Sequence, residues 1–126
     1  MSFPWRLMDG EANPTIWEGL PRRLPIEADG RTFAGSADAR AADDAAVDRF
    51  AASMKAKMAA AREKGRGGWD DPERCTEEFL ADLLVDHLEK RNAGNLQDIA
   101  NLVMMLDQRG AAPGAVADAL RRRASA

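Results

Sequence analysis

The stretch TEEFLADLLVDHLEKRNAGNLQDIANLVMMLDQRG, residues 76–110, decides the fold. Its apolar positions recur at helical rather than strand spacing, twice, with a glycine-containing break between. The first run carries the stripe Phe79, Leu80, Leu83, Leu84, His87 and Leu88. Thr76 is an N-cap residue type with Glu77 and Glu78 in the turn that follows. Asp71 before Pro72 offers an earlier start. The spacing predicts a helix from Pro72 or Thr76 to Arg91, ended by Asn92-Ala93-Gly94. Asn95 is then read as the cap of a further helix, with Asp98 where a capping-box carboxylate reaches back. Leu96, Ile99, Ala100, Leu102, Val103, Met105 and Leu106 are apolar on most of its circumference, which predicts a central helix or one buried against a second subunit. Arg109-Gly110 closes it.

Upstream, Val47, Phe50, Met54, Met58 and Ala61 form one amphipathic stripe. It predicts a helix from Asp43 or Asp44 to about Lys64, stopped by Gly65. Downstream, Val116, Ala119 and Leu120 follow Pro113-Gly114 and predict a short final helix, with Arg121-Arg122-Arg123 fraying at its end. Residues 1–42 read differently. Pro4, Pro14, Pro21 and Pro25 forbid a long helix. Ala28-Asp29-Gly30 between short apolar runs suggests a hairpin, and Gly35 to Asp38 a linker. The expected class is mainly α. A three-helix core (a helical hairpin plus a third helix) occupies 43–110, an irregular Trp- and Pro-containing N-terminal arm 1–42, and a short C-terminal helix and tail 111–126.

Composition agrees. Of 126 residues, aromatics make up 6% and charged residues 31%, and alanine outweighs the strand-favouring residues. One cysteine, Cys75, excludes an internal disulfide and a cysteine-based zinc site. One histidine, His87, excludes a His-rich site within one subunit. No metal or cofactor is therefore expected. The net charge of −3 argues against a general nucleic-acid partner. No apolar run approaches the roughly 20 residues that span a membrane, and MSFPWRLMDGEANP lacks a signal-peptide core. A cytoplasmic setting without membrane partners is the expectation. Charge is segregated: residues 45–66 hold six cations against two carboxylates, and residues 67–90 two against eight. The acidic ridge Glu78, Asp82 and Asp86 is expected to pair with the Lys55, Lys57 and Arg62 face.

Lys64-Gly65-Arg66-Gly67-Gly68-Trp69-Asp70-Asp71-Pro72, then Leu83-Leu84 and His87, then Gly94-Asn95-Leu96-Gln97-Asp98-Ile99-Ala100-Asn101 and Met104-Met105-Leu106 form a composite motif over residues 45–110. It resembles a module of small proteins encoded by tailed phages and prophages. One departure is visible: the family's Lys-Gly after the histidine is here Lys90-Arg91-Asn92, with the glycine displaced to Gly94. The resemblance implies a phage origin and an accessory role, such as modulating a host or defence protein in the infected bacterium. It implies no reaction.

The motif's chemistry can be read on its own. Glycines around Arg66 permit positive φ and a backbone nest for an anion, or simply a tight turn that drops Trp69 into the core. Asp98 and Asn101, one turn apart, could approach His87 across a helical hairpin. Arg66, Gly67, Gly68, Trp69, His87, Asp98 and Asn101 are therefore the candidate ligand-binding residues. Trp5 and Trp17 with Arg22 and Arg23 are the candidate partner-binding residues of the arm. No catalytic residue is assigned. Two alternatives stand beside the accessory reading: a small nucleotide-binding or Mg²⁺-dependent nucleotide-hydrolysing protein using the acidic ridge, and a minor virion component. A homodimer through helices 72–91 and 95–109 is a further expectation.

Overall fold

The computed structural model describes residues 35–126, and the chain there is mainly helical: α1 (Gly35–Glu63), α2 (Glu77–His87), α3 (Asn95–Gln108) and α4 (Ala115–Ser125). The expected arm, its hairpin, Trp5, Trp17, Arg22 and Arg23 lie outside the described residues. The packing below lies within Asp43–Ala126.

Local chemistry sets the helix ends. α1 closes on Gly65, whose φ is 79°. The Arg66 amide donates to Ala61 O at 3.0 Å and the Gly65 amide to Arg62 O at 2.9 Å, which satisfies two carbonyls of the last turn. α3 closes the same way on Gly110, with Ala111 N to Leu106 O at 3.0 Å. At the start of α2, Thr76 Oγ1 accepts from the Phe79 amide at 3.0 Å. Asp71 instead caps a separate turn, its Oδ1 accepting from Glu73 N at 2.9 Å. The helix therefore starts after Thr76 and not at Pro72.

Several boundaries differ from expectation, each for a physical reason. α1 begins at Gly35 and not at an aspartate cap. Ala37, Ala39, Ala41 and Ala42 are strong helix formers, and the expected linker becomes the first turn. α2 ends at His87 and not at Arg91, because Lys90 and the residues after it turn back toward α3. Asn95 is the first helical residue of α3 and not its cap. Gly94, at φ 86°, holds that position with no side-chain cap bond. The Arg121–Arg123 segment is helical rather than frayed.

Burial assigns the core. Leu80, Ala81, Leu84 and Val85 of α2, Leu102 and Leu106 of α3, and Ala119 of α4 form one buried cluster. α2 is thus the central helix, with α3 against one flank and α4 against the other. This moves its buried face partly off the expected stripe: Leu80 and Leu84 are buried as expected, but Phe79 and Leu88 are exposed and Ala81 and Val85 are buried. α3 is not central. Its Leu96 is 71% exposed and its Val103 50%. α1 lies beside this core, with Met54, Met58 and Ala61 half-buried and Val47 and Phe50 exposed. None of the described helices is long and apolar enough to cross a membrane.

Candidate functional site

The site begins with two glycine-controlled turns. Gly68, at φ 82°, accepts through its carbonyl from the Asp71 amide at 3.1 Å. The turn sets Trp69 against the core. Arg109 then fixes the loop: its Nη1 donates to Trp69 O at 2.6 Å and to Cys75 O at 2.8 Å. A guanidinium fork between two backbone carbonyls ties the glycine loop to the end of α3. The glycines thus act as turn formers that seat the tryptophan.

The second turn, after α2, orients the histidine. Asn95 Nδ2 donates to His87 O at 2.9 Å and to Lys90 O at 3.1 Å. Both amide hydrogens are used, so Asn95 Oδ1 faces His87 Nδ1, at 3.2 Å, as an acceptor. Nδ1 must therefore carry the proton, and Nε2 is the ring's remaining nitrogen. It accepts in the neutral ring and donates when the ring is charged. The expected His87–Asp98 clamp does not form. Asn95 takes the Nδ1 position because it is the first α3 residue to reach the end of α2. Asp98, one turn on, meets α1 and pairs with Lys57 at 3.2 Å. Gly94 makes room for that lysine: a Cβ there would lie 2.9 Å from Lys57 Nζ.

Asn101 completes the site. It is 5% exposed, and its Nδ2 donates to Met54 O at 3.2 Å. The carbonyl can only accept, so the amide orientation is fixed. Oδ1 is left buried with no hydrogen-bond partner. Leaving such an acceptor unpaired costs about 1–3 kcal/mol.

These residues share a cleft of about 310 Å³ between α1, α2 and α3, lined by Lys57, Lys64, Arg66, His87, Asp98 and Asn101. Three cations face one carboxylate there. A larger, mostly apolar pocket of about 570 Å³ adjoins it, bordered by Gly67, Gly68, Trp69, Cys75 and Phe79. The two share Arg66 and the apolar wall of Met58, Leu83, Leu102 and Met105. The candidate ligand residues of the motif thus fall around two neighbouring chambers. Lys57 and Lys64, seven apart and so on one face of α1's end, were not among those candidates, nor were Asn95 and Arg109. Their signal in sequence was weak. Lys57 and Lys64 flank the Met58/Ala61 stripe, where lysines also serve as ordinary solvated edges.

The acidic ridge has a different partner from the one expected. Arg122 Nη2 binds Asp82 Oδ1 at 2.7 Å and its Nε lies 3.8 Å from Glu78, while Arg123 binds Asp86. The hydrogen bond to Asp82 raises the Arg122 pKa above its ordinary value, and that to Asp86 does the same for Arg123. Because α4 and not α1 flanks this side of α2, the ridge meets the C-terminal arginines and not Lys55, Lys57 and Arg62. Among the described residues, no three His, Cys, Asp or Glu side chains gather in a metal-holding group. Comparison with family models, curated proteins and solved structures finds no match for the chain.

Proposed function

We propose that this chain is a phage accessory protein of the bacterial cytoplasm that acts by binding. It sequesters a small anionic ligand on which a host or defence protein depends. The observation that supports this most is the cleft itself, where Lys57, Lys64 and Arg66 face the single carboxylate of Asp98. Lys64 and Arg66, which pair with no carboxylate among the described residues, supply the attraction for the anion. The hydrolase alternative draws on Glu78, Asp82 and Asp86, and their pairing with Arg122 and Arg123 favours binding over Mg²⁺ chemistry there. Should a second copy join, Leu96 and Val103 are the exposed α3 side chains available to meet it.

The test is calorimetric titration of the full chain with pyrophosphate and ribose 5-phosphate at low salt. Binding that Arg66→Ala and Lys64→Ala each weaken several-fold supports the reading. Absence of heat with both anions at millimolar concentration overturns it.

A further inference from the structure

We infer that the ligand is an anion carrying a flat aromatic body, the chemistry of a nucleoside monophosphate, held with its charge in the cationic cleft and its ring in the adjoining pocket. This rests on the anion-binding reading above and adds the second chamber to it. Three observations carry the step.

The chambers are neighbours, since Arg66, Met58, Leu83 and Met105 border both. A ligand lying over Arg66 would touch both. Their sizes fall in the range of small-molecule sites, roughly 300–1,000 Å³. The second chamber is suited to a ring. Phe79 stands 55% exposed at α2's first turn, an aromatic side chain with nothing over much of its face. Trp69, held in place through Arg109, borders the same pocket. Aromatic faces and methionine sulfurs favour a flat π-system over an aliphatic chain. Arg66, at the junction, can reach both a phosphate and a ring face.

The third observation is polar. An inorganic anion brings acceptors, whereas Asp98 in the cleft is itself an acceptor, with its side chain 27% exposed. Sugar hydroxyls and base N–H groups supply donors. His87 lines the same cleft and, with its Nδ1 engaged by Asn95, has only Nε2 left to offer. A ligand with an anionic head, hydroxyl or amide donors in the middle and an aromatic end uses all three parts of the site.

The experiment uses the full chain carrying Trp5→Phe and Trp17→Phe, so that Trp69 is its one tryptophan. The four common ribonucleoside monophosphates, adenosine and ribose 5-phosphate are titrated while Trp69 fluorescence is followed and calorimetry gives affinity. The expected result is that at least one nucleotide changes Trp69 emission and binds about tenfold more tightly than ribose 5-phosphate, the size of a base–aromatic stacking contribution. Phe79→Ala should remove most of that advantage and leave ribose 5-phosphate affinity unchanged. Phe79 lies outside the buried cluster, so this variant should melt near the parent. Equal affinity for nucleotides and ribose 5-phosphate overturns the aromatic inference and leaves the anion reading standing. Adenosine binding as tightly as any nucleotide overturns the role of the cations. Absence of binding by every compound overturns both.

Discussion

Gly94 joins backbone and site at one residue. Its φ of 86° is left-handed, and the Lys57 ammonium occupies the space a side chain would need. Gly94→Ala should cost about 1–2 kcal/mol for the backbone conformation alone. It should also displace Lys57 from Asp98, although the flexible lysine can move at little further cost. Thermal melting reads the first effect. The second appears as weaker pairing in a Lys57/Asp98 double-mutant cycle. A variant that melts at the wild-type temperature would show that this turn relaxes freely. At the same scale the motif was partly legible. His87, Asp98 and Asn101 stood out as polar residues on largely apolar helices and Arg66 as a cation in a glycine loop, and all four line one cleft. Their bonds were not legible. Whether His87 meets Asp98 or Asn95 depends on the angle at which the chain re-enters α3, and Gly94 sets that angle in three dimensions.

At the scale of the element, α2 and α1 contrast. α2 buries four residues on two adjoining flanks, because α3 and α4 both pack on it. Leu84→Ala should therefore cost about 2–5 kcal/mol in chemical denaturation. Val47→Ala on α1 should change stability by under about 0.5 kcal/mol, since Val47 is exposed and alanine is the better helix former. Equal losses at both positions would mean that α1 is covered as deeply as α2. Periodicity identified both helices but not their difference. An amphipathic stripe states which residues can be buried, while the neighbours decide which are. Of the α2 stripe, the packing buries Leu80 and Leu84, leaves Phe79 and Leu88 exposed, and adds Ala81 and Val85 from outside it.

For the folded unit within Asp43–Ala126, the last helix has more weight than its place in the sequence suggests. Ala119 is 1% exposed in the central cluster, Ala115 and Val116 pack on it, and Arg122 and Arg123 cover the acidic ridge. Ending the chain at Ala112 removes these contacts together, exposing Ala81 and Val85 and leaving Asp82 and Asp86 unpaired. The shortened chain should lose cooperative melting, read by circular dichroism. Retention of a sharp transition would show that α2 and α3 stand without α4.

The sequence by itself determined the helical class, the glycine stops at Gly65 and Gly110 and the group of polar residues in the motif, and narrowed the α2 start to Pro72 or Thr76. These are short-range matters, governed by propensity, capping and spacing within a few residues. Tertiary structure alone decided that α2 is the centre and that α4, not α1, neutralises the ridge. It also decided that Lys57 and Lys64 join the motif's cleft, and that Asn101 keeps an acceptor without a partner. Each depends on which helices lie side by side. That choice comes from the summed burial of many apolar side chains, none of which records its neighbour in its own position along the chain.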